Sequence, residues 1–287
     1  MTPSIDEQNR IASVLVGSEQ VITRTEAVIA KLRKLRAGLL HELLARGLNG
    51  KGQVRDPVAH PEQFKHSSIG RIPSEWVVMS LAETADPEVS DSFIDGDWIE
   101  APHLRTDGIR LIQTGNIGAE QFLDKPDDRK FISLQSFYSL KCKALAPGDV
   151  LICRLADPVG RACLVPSFVG DAITSVDVTI FRPDKSILLR NFAVLYLNTQ
   201  AALRRCEILA GGTTRKRISR KNLGRLAIAL PPVDEQLRIL EVLETADAEV
   251  TSYDGELTKL KELRSGLVTD LLTGRVRVPG MLTATNI

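Results

Sequence analysis

Apolar residues recur at alternating intervals of three and four positions in two long segments, one near each end of the chain. This spacing puts apolar side chains on one face of an α-helix and is the heptad pattern of coiled coils. In each segment, proline followed by Asp and Glu marks a helix start. The pattern predicts two long helices, within residues 1–48 and 231–274. Their seams comprise Ile22, Thr25, Ile29, Leu32, Arg36, Leu39 and Leu43 in the first helix, and Val250, Tyr253, Leu257, Leu260, Arg264, Leu267 and Leu271 in the second.

The two predicted helices repeat one another in sequence. PSIDEQNRI at residues 3–11 returns as PPVDEQLRI at residues 231–239, and the same offset continues without gaps to Leu44 and Leu272. Because one amphipathic helix cannot bury its apolar face alone, the repeats are expected to pack on each other, within one chain or between chains. Arg36 and Arg264 interrupt the seams at equivalent positions. They either fix register and partner or extend along the apolar face with their charge in solvent, and the sequence leaves both open.

Between the helices the pattern changes to short apolar runs separated by Gly, Pro, Asp and Asn. Residues 49–68 have little periodicity and are predicted to be a linker. Residues 190–209, rich in Leu and Ala, predict one helix that ends at Gly211-Gly212. Apolar runs predict strands at residues 110–113, 149–153, 162–165, 176–181 and 226–230. We therefore predict an α+β fold: one globular domain of mixed strands and helices over residues 69–230, two long coiled-coil-forming helices, and a tail at 275–287.

Composition limits the class of protein. The chain has 287 residues, of which 43% are hydrophobic, enough for a buried core. No apolar run reaches the roughly 18 residues of a membrane span, and the N-terminus lacks the basic and apolar regions of a secretory signal. Cys142, Cys153, Cys163 and Cys206 form no C-x-x-C pair, and the histidines are scattered. We expect buried, reduced thiols in a cytoplasmic protein, and no metal site.

The formal net charge of +1 conceals a concentrated basic segment. Residues 201–225 carry eight basic groups against one acidic group, whereas residues 76–200 carry 12 against 17. Glycines permit close backbone approach, hydroxyls can bond phosphate oxygens, and Arg and Lys supply charge, so this stretch suits a DNA backbone. Ser219 is also predicted to cap a short helix whose N-terminus attracts phosphate. A solvated basic loop without a ligand is an equal alternative. The candidate DNA contacts here are Thr213, Thr214, Arg215, Lys216, Arg217, Arg220 and Lys221.

Several separate stretches resemble one family, the DNA-specificity subunits of type I restriction–modification systems. They cover nearly the whole chain and are specific in combination. The stretches are IGRIPSEW (69–76), GIRLIQTGNI (108–117), LAPGDVLI (145–152), GTTRKRIS (212–219), PPVDEQ (231–236) and LLTG (271–274). The resemblance implies a target recognition domain that reads one part of a split DNA site, with the long helices acting as a spacer.

One feature departs from the family pattern. The usual member carries two recognition domains and two conserved helices, whereas this chain has the order helix, domain, helix. It resembles a half-length subunit, natural or truncated, which would have to dimerise to read two half-sites. A symmetric homodimer would then read a palindromic split site.

The resemblance also implies a protein that does no chemistry itself. The chain has no Asn-Pro-Pro-aromatic or Asp-Pro-Pro-aromatic tetrapeptide for amino-group methylation, no G-x-G-x-x-G and no Walker A run. Catalysis is expected from the partners, a methyltransferase (modification) subunit and a restriction subunit. S-adenosylmethionine, and ATP and Mg²⁺ for restriction, are expected on those partners, with no cofactor on this chain.

Base contacts are expected from polar side chains on loops of the recognition domain. Gln113 and Asn116 have the amide groups that pair with adenine, and Lys130, Arg154 and Arg161 could donate to guanine. The alternative for each of these residues is an ordinary surface position without a base contact. The alternative from another class is a coiled-coil adaptor whose middle domain binds protein, and it predicts no salt-dependent DNA binding.

Overall fold

The structure is a computed structural model that describes residues 3–155, 157–212 and 215–278. In these ranges the chain forms six α-helices and twelve β-strands. The helices are α1 (Ile5–Arg46), α2 (Leu134–Ser139), α3 (Arg190–Leu197), α4 (Gln200–Leu209), α5 (Arg220–Gly224) and α6 (Val233–Thr273). The strands are β1 (Phe64–Ser67), β2 (Gly70–Pro73), β3 (Val77–Ser80), β4 (Phe93–Asp95), β5 (Leu104–Arg105), β6 (Ile109–Ile112), β7 (Lys130–Ile132), β8 (Val150–Cys153), β9 (Ala162–Leu164), β10 (Ala172–Thr174), β11 (Val178–Phe181) and β12 (Ala227–Leu230). The α+β prediction with two long helices is confirmed.

The chain divides into two compact units. The helical unit comprises Met1–Leu40 and Glu241–Ile287, and the mixed unit comprises His41–Leu240. No helix in the described part of the chain is both long enough and apolar enough to cross a membrane.

In the helical unit, α1 and α6 run antiparallel and are joined by ion pairs. Arg36 contacts Asp247 at 2.8 Å, and Arg264 contacts Glu19 at 2.7 Å. The two pairs are equivalent under the sequence repeat, because Glu19 corresponds to Asp247 and Arg36 to Arg264. Antiparallel packing of two copies of one pattern therefore forms the same contact twice.

A second ion pair is duplicated in the same way. Arg33 contacts Asp254 at 2.8 Å, and Lys261 contacts Glu26 at 2.7 Å. Exposed ion pairs of this kind contribute only about 0–1 kcal/mol each. Their repetition along the helix pair identifies register as their main effect. The two seam arginines thus reach carboxylates on the opposite helix.

The seams lie between the helices of one chain. Ile22 and Ile29 are buried, Leu43 and Leu271 are also buried, and most other seam residues are half-buried. Leu267 is the exception, since 37% of it is exposed. Of the two arrangements that the sequence left open, packing within one chain is the one observed, and it uses this apolar surface.

A different apolar stripe on α1 stays in solvent. Val14, Val21, Val28 and Leu35 follow one another at seven-residue intervals and are 38%, 46%, 40% and 58% exposed. Residues seven apart share one face of a helix, so these four form a continuous stripe. The aligned positions 249 and 256 on α6 are both Glu, so α6 has no such stripe.

The mixed unit is built on two four-stranded sheets and two two-stranded sheets. One sheet has the order β10-β6-β7-β5, with β10 parallel to β6, and the other is antiparallel with the order β4-β11-β8-β9. β1 pairs with β2, and β12 pairs with β3. β8 and β11 are buried along their whole length, which explains why their sequences are continuous apolar runs rather than alternating ones.

Buried apolar side chains of the two four-stranded sheets form a core cluster. Leu151, Ile180 and Ile112 belong to one cluster that also contains Cys153 and Cys163. All four cysteines are free and buried, as expected from the sequence. Burial raises the pKa of Cys163 to about 12 and that of Cys206 to about 11, so these thiols stay protonated and unreactive at neutral pH.

Two local predictions differ from the structure. The single helix predicted at residues 190–209 is two helices, α3 and α4. Asn198 and Thr199 separate them: the Asn198 amide donates to the Ala162 carbonyl at 2.8 Å, and the Thr199 hydroxyl caps α4 by accepting from the Ala202 amide. Side chains that compete for backbone groups favour such breaks. The predicted linker at 49–68 contains β1 and the buried residue Arg55.

Arg55 belongs to a buried polar cluster centred on Glu235, in the first turn of α6. The Glu235 carboxylate accepts from the Leu48 amide at 2.8 Å, from both terminal nitrogens of Arg55 at 2.6 and 3.2 Å, and from the Trp76 indole at 3.2 Å. Glu235 and Trp76 are almost fully buried. One carboxylate thus joins the residues after α1, the start of the sheet region and the start of α6.

Candidate nucleic-acid interface

The centre of the basic segment, residues 211–221, runs from just after α4 into α5. Gly211 and Arg217 exchange two backbone hydrogen bonds of 2.9 Å. Gly212 has a φ of +93°, a conformation that side-chain-bearing residues rarely adopt. The candidate contacts Thr213 and Thr214 lie outside the described residues.

The end of the segment is attached to the sheet. Ile218 is fully buried, and its amide donates to the Arg154 carbonyl at 2.9 Å. Ser219 then caps α5, accepting from the Asn222 amide at 3.1 Å, so the predicted cap is confirmed. The exposed residues Arg217 and Arg220 therefore flank a backbone that is fixed at Ile218 and Ser219.

Three of the segment's cations are ion-paired. Arg217 donates to the Asp177 carboxylate at 2.5 Å, and Arg220 lies 3.5 Å from the Asp95 carboxylate. Lys216 hydrogen-bonds Glu207, which lowers the pKa of the Glu207 carboxyl and raises that of the Lys216 ammonium. The surplus of positive charge read from residues 201–225 is thus partly neutralised, chiefly by aspartates from distant parts of the chain.

The segment also presents cations without a carboxylate partner. Arg215 and Lys221 are exposed and form no ion pair with the described residues. Arg204 on α4 and Arg225 after α5 are likewise exposed and unpaired within that part of the chain. These four residues give the region its available positive charge.

Arg154, predicted to contact a base, has a structural role instead. Its side chain is only 3% exposed, and its guanidinium lies 3.2 Å from Asp95 and donates to the Ile218 carbonyl at 3.1 Å. Burial lowers the pKa of the guanidinium, while the charges of Asp95 and Asp177 oppose that shift. The side chain faces the interior, so the base-contact prediction for Arg154 is corrected.

Arg161 and Asn116 are also committed to internal bonds. Three guanidinium nitrogens of Arg161 donate to the carbonyls of Ile117, Pro158 and Thr114 at 2.6, 2.9 and 3.0 Å. The Asn116 side chain accepts from the Gln113 amide and donates to the Leu123 carbonyl, both at 3.0 Å. These contacts give both side chains a turn-stabilising role and use part of their hydrogen-bonding capacity, and their contact with bases stays a prediction.

Two further predicted base contacts lie at the ends of neighbouring strands. Gln113 follows β6 and Lys130 begins β7, and both are half-buried. The Lys130 side chain has no hydrogen-bond partner among the described residues, whereas the Gln113 side chain takes part in a capping box with Asn116. β6 and β7 are adjacent strands of one sheet, in which Lys130 pairs with Leu111, and Gln113 lies two positions beyond Leu111. Their contact with bases stays a prediction.

Sequence reasoning missed the residues that organise the site. Asp95 and Asp177 stand 82 positions apart and carry no motif. Asp177 has a φ of +73°, in the left-handed region, which Asp tolerates better than most residues. Within the described ranges no group of three or more His, Cys, Asp or Glu side chains is arranged to hold a metal ion.

Comparison with protein families decides the class of domain. The model of the type I restriction modification DNA specificity domain matches residues 106–262, more than half of the chain. This chain belongs to the type I restriction–modification DNA specificity family. The match runs from just before β6, through the basic segment and into α6. The resemblance found in the sequence is confirmed.

Individual specificity subunits align with nearly the whole chain. The type I restriction enzyme MjaVIII specificity subunit of Methanocaldococcus jannaschii is 23% identical over 97% of this chain. The HsdS subunit from Thermoanaerobacter tengcongensis has a TM-score of 0.57 at 20% identity, covering 96% of this chain and 60% of its own. A chain from a type I R-M system, solved to explain complex assembly and conformational transition, has a TM-score of 0.52 at 24% identity, covering 94% and 60%.

At these identities the solved structures establish the fold. The family's mixed domain and long helices are the architecture described above. The chain spans about three fifths of the length of the relatives it matches, 59% and 62% for two curated specificity subunits.

Proposed function

We propose that this chain is a sequence-specific DNA recognition subunit that directs a type I methyltransferase and restriction complex to one part of a bipartite DNA site. The family match over residues 106–262 carries the proposal, because it includes both the sheet region and the basic segment. Arg215 and Lys221 would contact phosphates, and Gln113 and Lys130 would contribute to base readout. Thr213 and Thr214 stand between the two glycines and the cations in the sequence, and they remain candidates for contact with the DNA backbone.

Catalysis in this proposal belongs to partner subunits. A methyltransferase subunit would bring S-adenosylmethionine, and a restriction subunit would bring ATP and Mg²⁺. This chain would only bind the DNA and position the partner subunits on it.

Expression together with a methyltransferase subunit tests the proposal. Sequencing of methylated positions should reveal one recurrent DNA site that is absent when the methyltransferase is expressed alone. The variant that replaces Arg215 and Lys221 with Gln should reduce methylation at every copy of that site without changing its sequence. Failure to associate with any methyltransferase subunit, or methylation independent of this chain, would exclude the proposal.

A dimer that reads both halves of the site follows from the same proposal. The surface we assign to it is the exposed stripe of Val14, Val21, Val28 and Leu35, because the seams are already occupied within the chain. A two-fold axis near residues 24–25 would place Val21 opposite Val28 of a second antiparallel copy, burying the stripe on itself. No like charge within the stripe opposes that pairing.

Replacing Val21 and Val28 with Glu should therefore dissociate the dimer. Opposed carboxylates in a desolvated interface between two stripes are strongly unfavourable. Light scattering should report half the wild-type mass, with helix content unchanged. The matched control places Glu at Ala12 and Ala30, also exposed on α1, and should leave the mass unchanged. A wild-type monomer, both alone and with the methyltransferase, would remove the dimer and its palindromic site. Loss of methyltransferase binding by the stripe variant would instead assign the stripe to that partner.

A further inference from the structure

The carboxylates of two aspartates contact arginines of the basic segment, as DNA phosphates would. The Arg217 Nε donates to Asp177 at 2.5 Å, and the Arg220 Nε lies 3.5 Å from Asp95. Both arginines belong to the segment to which the proposed function assigns the DNA backbone. An arginine already held by a carboxylate has less to gain from a phosphate, because the carboxylate must first be displaced or shared.

The carboxylates are held more firmly than the arginines. Buried Arg154 lies 3.2 Å from Asp95 and 4.0 Å from Asp177, and its amide donates to the Asp177 carbonyl at 2.7 Å. The side chain of Asp177 is 17% exposed, whereas those of Arg217 and Arg220 are 54% and 45% exposed. The aspartates are therefore fixed to the sheet, while the arginines remain reachable from solvent.

We propose that Asp95 and Asp177 are specificity-determining residues that suppress sequence-independent binding of DNA. They engage Arg217 and Arg220 in the free protein, so phosphate attraction rests on the other cations of the segment, Arg215 and Lys221 among them. Specificity is a difference between two affinities, and weakening the non-specific one increases it. This inference rests on the proposed DNA-binding function.

The salt dependence of non-specific binding tests it. Binding of the full chain to a fluorescent duplex of arbitrary sequence is measured across a range of salt concentrations. Each phosphate neutralised adds about 0.9 to the slope of log affinity against log salt. Asp177→Asn should free Arg217 and steepen that slope by about 1, with affinity about fivefold higher at 0.15 M salt when referenced to 1 M. Asp95→Asn should act in the same way through Arg220.

Arg217→Gln, alone and combined with Asp177→Asn, distinguishes the release of Arg217 from a general effect of the protein's net charge. Arg217→Gln should leave the wild-type slope unchanged and should cancel the added slope in the Asp177→Asn background. Asp107→Asn is the charge-matched control, since Asp107 is exposed with no ion pair among the described residues, and it should not alter the slope. Arg217→Gln leaves both carboxylates of Arg154 in place, so its result does not depend on tolerance of Asp177→Asn.

Two failures are distinguishable. Salt-independent or absent DNA binding by the wild-type chain would overturn the proposed function itself. Salt-dependent wild-type binding with an unchanged slope in both aspartate variants would overturn the present inference alone. A shallower slope in Arg217→Gln on its own would also overturn it, because Arg217 would then already contact phosphate in non-specific complexes.

Discussion

Glu235→Ala should destabilise the mixed unit by about 3–5 kcal/mol, the usual cost of removing one partner from a buried ion pair. The substitution leaves the Arg55 guanidinium buried without its main carboxylate and leaves the Leu48 amide and the Trp76 indole without an acceptor. For a unit of this size the melting temperature should fall by roughly 6–20 °C. Thermal and urea unfolding followed by circular dichroism measure the effect.

The same arginine offers a matched control. Glu75 lies 3.0 Å from Arg55, but its side chain is 71% exposed, whereas that of Glu235 is 2% exposed. Glu75→Ala should therefore cost less than about 1 kcal/mol. Equal effects of the two substitutions, or a loss below 1 kcal/mol for Glu235→Ala, would refute the idea that the buried carboxylate anchors the start of α6.

Replacing both Arg215 and Lys221 with Gln should weaken DNA binding on every sequence. Each residue has no competing carboxylate among the described residues, so each should contribute a full phosphate contact. The salt slope should become shallower by about 1.8, and affinity at 0.15 M salt should fall roughly 30-fold relative to a 1 M reference. Fluorescence anisotropy, with the methylated site and with an unrelated duplex, measures both the salt slope and the affinity.

The pattern across sequences distinguishes this variant from a loss of base readout. Removal of phosphate contacts should lower the two affinities by the same factor, whereas Gln113→Ala should lower only the affinity for the specific site, by about 1–3 kcal/mol. Lys65→Gln with Lys185→Gln removes the same charge from exposed positions elsewhere and should change little. An unchanged slope in the Arg215 and Lys221 variant would show that the basic segment does not contact the backbone.

Local pattern determined several parts of this protein. The two long helices follow from apolar residues at heptad spacing, and α1 and α6 extend almost as far as the repeat does. The strands at residues 150–153 and 178–181 follow from short apolar runs that periodicity recognises. The cap at Ser219 follows from side-chain chemistry within three residues. Each depends on neighbours in the chain, which a sequence displays directly.

Local sequence patterns predicted the residues of the candidate site less well. Arg154 and Arg161 were chosen because arginine suits guanine, yet both guanidinium groups bond to the protein's own backbone and carboxylates. A long polar side chain can reach either solvent or an internal carbonyl, and composition does not distinguish the two. The separation of α3 from α4 was missed for a similar reason, since the polar residues that cap them also occur within helices.

By itself the sequence determined the helices, the α+β class, the basic segment and the family. Tertiary structure alone decided which cations of that segment are available and which surface of α1 stays exposed. Asp95 and Asp177 neutralise arginines far from them in sequence, and the antiparallel pairing of the repeats buries the seams while leaving the Val14–Leu35 stripe in solvent. The physical reason is the same in both cases: charge pairing and burial depend on distance in space, and only folding brings remote segments within a few ångströms.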